Sequence, residues 1–119
     1  MISCERAREI ALSLPETQEK DHRGRPSFRV RDKIFATLWL DERRVVTKAT
    51  ILDQAAFLES DPKAFTIVPG WGKQGWTFVH LEHVSERTLR DVLTAAWRNV
   101  APKTIAAKRQ TKHTRHPGR

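Results

Sequence analysis

The sequence predicts an α+β domain in which helices cover one face of an antiparallel sheet of about five strands. Three observations carry this. Apolar stripes with helical spacing stand near both ends of the chain. Short alternating apolar and polar runs lie between them. The connections between those runs are of hairpin length, and strands joined this way pair antiparallel. The order is α-β-β-β-α-β-β-α.

Ala7, Ile10, Ala11 and Leu14 recur at i, i+3, i+4 and i+7, with Ser3 as N-cap and Pro15 beyond the end. In residues 27–31, Phe28 and Val30 point one way and Ser27, Arg29 and Arg31 the other. Asp32-Lys33 is read as a tight turn, Ile34 to Leu40 as a second strand, Asp41-Glu42-Arg43 as a polar tip, and Val45 to Ala49 as the return. Thr50 with Asp53 opens a second helix, which Ser60-Asp61-Pro62 stops. Phe65 to Val68 and Trp76 to Leu81 are strands around a glycine-rich loop. Ser85 caps the last clear helix. Its stripe of Leu89, Val92, Leu93, Ala96, Trp97 and Val100 faces the core. Pro102 is read as opening a further short helix, Lys103 to Arg109.

The chain has 119 residues and a net charge of +8, from 22 Lys and Arg against 14 Asp and Glu. That size fits one domain with a real core. The charge is unevenly spread. Arg23, Arg25, Arg29, Arg31 and Lys33 face only Asp32 within residues 22–33. Residues 103–119 hold six basic side chains and no acid. A folded domain over residues 1–109 followed by a basic, flexible tail over residues 110–119 is the expected organisation. The single cysteine, Cys4, excludes an internal disulfide framework. No run approaches the ~18–20 apolar residues of a membrane span, and the N-terminus lacks a signal-peptide core, so a cytoplasmic protein without membrane contact is expected.

Four blocks in order resemble the MmcQ/YjbR-like proteins. They are Gly24-Arg25-Pro26-Ser27-Phe28, Lys33-Ile34-Phe35-Ala36, Pro69-Gly70-Trp71-Gly72-Lys73-Gln74-Gly75-Trp76 and Ala96-Trp97-Arg98-Asn99-Val100-Ala101-Pro102-Lys103. The resemblance spans roughly residues 5–109. It implies a frataxin-like (CyaY-like) fold and the family's usual label of DNA-binding, through a double wing of hairpins. The basic residues after Arg109 lie outside the family pattern.

Two constellations fit phosphate recognition. On a strand, Arg29 and Arg31 share a face; with Arg23, Arg25 and Lys33 nearby they would contact phosphates. The competing reading is a solvated face whose arginines pair with Glu16, Glu19 and Asp21. In the glycine-rich loop, Trp71 can stack on a base and Lys73 can reach a phosphate. Lys108, Arg109, Lys112 and Arg115 extend the basic set into the tail. Trp39, Trp76 and Trp97 are read as core residues.

Catalytic and metal sites find little support. His80 and His83, and His113 and His116, have H-x-x-H spacing without further zinc ligands in sequence. Cys4 has no adjacent base, Ser60-Asp61-Pro62-Lys63 is a helix stop, and Asp41-Glu42 sits at a tip. The first helix mixes Glu5, Arg6, Arg8 and Glu9, unlike an iron-binding carboxylate ridge. The expected function is therefore non-enzymatic, cofactor-free DNA or nucleic-acid binding through phosphates, without strong sequence specificity and by a monomer. The alternative is an adaptor that holds a protein or small ligand with its sheet face and Gly-Trp loop.

Overall fold

A computed structural model describes residues 1–105. The expectations for Lys108, Arg109, Lys112, Arg115 and the rest of the tail lie outside these residues.

Among the described residues, three complete α-helices and six strands follow the order α1 (Cys4–Leu12), β1 (Gln18–His22), β2 (Arg25–Val30), β3 (Lys33–Trp39), β4 (Arg44–Lys48), α2 (Ile51–Ser60), β5 (Phe65–Ile67), β6 (Trp76–His80) and α3 (Glu86–Val100), and residues 103–105 are helical where a further helix is expected after Pro102. The strands form one antiparallel sheet in the order β1-β2-β3-β4-β6-β5. This is the α+β class and, with one addition, the order expected. The addition is β1. Its sequence, Gln-Glu-Lys-Asp-His, has no apolar residue and so no alternation to read. It exists because β2 offers an unpaired edge, and its charges suit an edge strand.

Helix starts follow local chemistry. The hydroxyls of Ser3, Thr50 and Ser85 accept from the backbone N–H groups of Arg6, Asp53 and Thr88 at 3.0–3.1 Å. Helices α1 and α3 lay their stripes on one face of the sheet. Ile10, Ala11, Leu14, Leu89, Leu93 and Trp97 meet Phe28, Val30, Phe35, Leu38, Val45 and Val79 there. Trp97 is fully buried, and its Nε1–H donates to the Pro15 carbonyl at 2.9 Å. At the surface, Arg6 donates to both carboxylate oxygens of Glu86, at 3.1 and 2.6 Å, joining α1 to α3. That bond holds the Glu86 carboxyl below its usual range. Gln54 of α2 is buried and donates to the Trp76 carbonyl and the Thr77 hydroxyl, at 3.2 and 3.1 Å, so α2 is tied to β6.

Two tight turns bracket β2. Arg23 and Gly24 join β1 to β2 with φ of 56° and 85°, and Arg31 and Asp32 join β2 to β3 with φ of 51° and 67°. Two successive positive φ values suit the twist of two-residue hairpins. The second turn therefore falls one residue earlier than the expected Asp32-Lys33, and Arg31 leaves the strand. A bulge also interrupts the β2–β3 pairing, where Phe28 faces Ala36 but Arg29 faces Ile34. Phe35 is the extra residue. It allows Phe35 and Ala36 both to be fully buried, while Ile34 and Thr37, three apart, turn to the other face.

Candidate nucleic-acid interface

The sheet face opposite α1 and α3 holds a small second cluster of Val46, Val68 and Phe78, with Trp39 and Trp76 packed against it. Alternation explains its membership. On β4, Val45 and Thr47 face the main core, so Arg44, Val46 and Lys48 face away. On β6, Val79 faces the core, leaving Trp76, Phe78 and His80 on the open side. Trp39 and Trp76 are thus not part of the main core, contrary to expectation. Each sits half-buried on the open face, because the strand register, and not hydrophobicity alone, sets its side. Only Trp97 takes the expected core position.

Cations lie over these rings. The Arg25 guanidinium is 3.9 Å from the Trp39 ring centre, and Arg44 is 5.0 Å from Trp39 and 3.6 Å from Phe78. Lys48 is 5.2 Å from Trp76 and donates to the Gln74 carbonyl at 2.7 Å. Such contacts hold a cation in place without neutralising it. Arg44 also pairs with Glu42. The Trp39 indole N–H donates to the Thr37 hydroxyl at 3.2 Å.

A cavity of about 330 Å³ opens on this face. Its lining includes His22, Arg23, Arg25, Thr37, Trp39, Val46, Trp71 and Trp76. Trp71, 56% exposed, forms its outer rim. The loop presenting Trp71 passes through a short 3-10 turn, Gly72–Gln74, and closes at Gly75, whose φ is 96°. A Cβ at Gly75 would lie 1.8 Å from the Ala49 carbonyl oxygen. Gly75→Ala is expected to cost at least about 2 kcal/mol, from the left-handed backbone and the clash together. Gly70→Ala, with φ of 80° but nothing within 4 Å of its Cβ, keeps only the backbone cost of about 1–2 kcal/mol. Calorimetric melting of the two variants checks this; equal losses would remove the steric part of the argument.

The basic segment 22–33 is not one patch. Arg23 and Arg25 stand at the cavity end of β2, whereas Arg31 and Lys33 stand at the other end, roughly 16–20 Å away at about 3.3 Å per residue. Arg29 lies between and donates to the Ser27 hydroxyl at 2.9 Å. The expected shared face of Arg29 and Arg31 fails because Arg31 belongs to the turn, where it pairs with Glu16 at 3.1 Å. The acids upstream behave differently from one another. Glu19 and Asp21 sit opposite Phe28 and Pro26 in the β1–β2 ladder, so they face the helix side. Glu19 pairs there with Arg8 at 2.7 Å, and Asp21 accepts from the Gly24 N–H. Lys20 pairs with Asp32 at 2.8 Å and holds that carboxyl below its usual range. Among the described residues, Arg23, Arg25, Arg29, Lys33 and Lys73 form no ion pair. Lys73 lines a separate groove with Ile51, Ile67 and Gly70.

His80 accepts from or donates to Thr66 Oγ1 at 2.8 Å. Burial, then the positive charges of Arg44 and His83, push its pKa below the ordinary histidine value. His80 therefore adds little positive charge to this face at neutral pH. Cys4 Sγ lies 3.9 Å from the Leu40 carbonyl, Ser60 Oγ donates to Phe57, and Asp41 is exposed in a 3-10 turn. Among the described residues no three His, Cys, Asp or Glu side chains are grouped to hold a metal, and no helix is long and apolar enough to cross a membrane.

Trp39, Trp76, Lys48 and His22 were not legible as site residues. The alternation Arg44-Val46-Lys48 against Val45-Thr47 was the available signal, once β4 is known to be covered on one face only.

Comparison with known proteins adds the lineage. No curated protein matches the chain. A crystal structure of the Deinococcus radiodurans protein DR2400, with a DUF419 family domain, superposes with a TM-score of 0.75 at 18% identity, covering 95% of this chain and 88% of that one. At that identity the likeness concerns the fold. The YjbR family model matches residues 12–99, about three quarters of the sequence and every strand of the sheet, and the chain belongs to the YjbR family.

Proposed function

We propose that the protein is a non-enzymatic nucleic-acid-binding module that grips phosphates on the open face of its sheet, without strong sequence specificity. The observation that supports it is the cationic, aromatic cavity edge formed by Arg23 and Arg25, whose neighbouring acids Glu19 and Asp21 face the other side of the sheet. Lys48 continues the positive surface along β4. No helix reader is needed for such binding, because phosphates carry no sequence information. On this reading the protein acts as a monomer in the cytoplasm and takes no cofactor.

Binding of a short DNA duplex across a salt series tests it. Each phosphate held contributes about −0.9 to the slope of log affinity against log salt. Three to four such phosphates on the sheet face give a slope of about −3, hence roughly a 50- to 100-fold loss of affinity between 50 and 200 mM salt. The same series on a chain ending at Ala107 separates the domain from the basic terminus. Absence of binding by both chains at low salt would sink the proposal, and binding by the full chain alone would move it off the sheet.

A second reading has one observation in its favour. The cavity volume suits a small acidic ligand held by Arg23 and Arg25. Isothermal titration with nucleotides and small carboxylates distinguishes it.

A further inference from the structure

We propose that the cavity beneath Trp71 receives one unstacked nucleobase, so that the protein prefers single-stranded to double-stranded nucleic acid. This rests on the phosphate-gripping reading above and names the form of nucleic acid that the same face takes.

The cavity is larger than phosphate recognition requires. A phosphate needs donors at a surface, whereas this site is a pocket of about 330 Å³, at the lower end of the ~300–1,000 Å³ of small-molecule pockets. Its lining is mostly apolar: three indoles, Val46, Val68 and Ile34. Such walls suit a flat, weakly polar ring. Thr37 and His22 supply polar atoms at the lining, as base edges require.

The four tryptophans are not equivalent. Trp97 is in the core, Trp39 already carries Arg25 on its ring, and Trp76 carries Lys48. Trp71 has neither a ring nor a cation partner among the described residues, and it is the exposed one. An exposed indole at the rim of an apolar pocket is a stacking surface waiting for a planar partner. Arg23 and Arg25 line the same pocket, so the phosphates flanking an inserted base meet cations. In a duplex the base faces are stacked on their neighbours and cannot enter; in a single strand they are free.

The test uses the full chain and dye-labelled DNA of one length in three forms: a single strand, a duplex, and a strand in which every base is replaced by an abasic unit. Adenosine monophosphate is the fourth probe. The single strand and the abasic strand carry the same phosphates and engage the basic terminus alike, so the difference between these two isolates the pocket. The single strand is expected to bind about 10-fold or more tighter than the abasic strand. Trp71→Ala should weaken single-strand binding by about 5- to 150-fold, the range for one stacked base. It should leave abasic-strand binding and the salt slope unchanged, and Trp71→Phe should keep most of the affinity. Trp71 is exposed, so neither variant threatens folding. Equal binding of the base-bearing and abasic strands, or equal weakening of both by Trp71→Ala, overturns the inference and leaves phosphate binding standing. Binding of adenosine monophosphate without binding of any strand overturns both readings, as does failure of every probe to bind.

Discussion

Replacing Arg23 and Arg25 together by glutamate is expected to lower DNA affinity by at least about 100-fold at low salt, since two favourable phosphate interactions become two repulsive ones. The milder double alanine variant should cut the salt slope by about 1.8, or 0.9 for each phosphate no longer held. These two residues combine features that the other cations of the segment lack. Both line the cavity, neither has an ion-pair partner among the described residues, and the Arg25 guanidinium is already ordered over Trp39. Little side-chain freedom then remains to be surrendered on binding. The control is Arg31→Glu with Lys33→Glu at the far end of β2. The same change in net charge there should alter affinity by less than about 10-fold, because only screened long-range repulsion acts. Fluorescence anisotropy on both double variants, with circular dichroism to confirm folding, makes the comparison. Equal losses in the two pairs would mean that net charge alone, and not the cavity end of the sheet, governs binding.

Trp97→Ala is expected to remove about 3–5 kcal/mol of stability, the usual cost of deleting a large aromatic from a packed interior. A domain of this kind holds only about 5–15 kcal/mol in total, so the variant should be partly unfolded at physiological temperature. Trp97 is fully enclosed between α1, α3 and the sheet, and its indole N–H closes the Pro15 carbonyl. Alanine would leave both a cavity and an unpaired carbonyl. Trp39→Ala is the counterpart on the opposite face. Trp39 is half-buried on the open face, so its truncation leaves no enclosed void, and the loss should be clearly smaller, about 1–2 kcal/mol. Urea unfolding followed by circular dichroism measures both. Equal losses would contradict the division of the sheet into a core face and an open face.

That division marks how far the sequence could be read. The caps Ser3, Thr50 and Ser85 and the stripe of α3 depend on residues within one or two turns, and each is where local chemistry places it. The meander β2-β3-β4 and the β5–β6 pair follow from alternation and short connections. Strand β1 was hidden because an all-polar edge strand is stabilised by its neighbour's backbone and not by its own side chains. Arg31 was misplaced by one residue of turn register, and a single-residue shift moves a side chain from strand face to hairpin tip.

The candidate site was legible in part. Arg23, Arg25 and Trp71 stood out as a basic segment and a glycine-flanked indole, and the structure brings them to one cavity. That Trp39 and Trp76 join them, that Arg31, Lys33 and Lys73 do not, and that Glu19 and Asp21 turn away all depend on register.

By itself the sequence determined the α+β class, the order of all elements but β1, the helix starts and the family resemblance, because these rest on local periodicity and on motifs. Only the tertiary structure decided which face each strand residue occupies, which cations keep their charge unpaired, and that residues from His22 to Trp76 enclose one cavity. Those properties are relations between segments distant in sequence, set by strand register, by the bulge at Phe35 and by which face α1 and α3 cover. Two arginines that are neighbours in the chain can therefore lie at opposite ends of a strand, and an acid beside them can lie on the other side of the sheet.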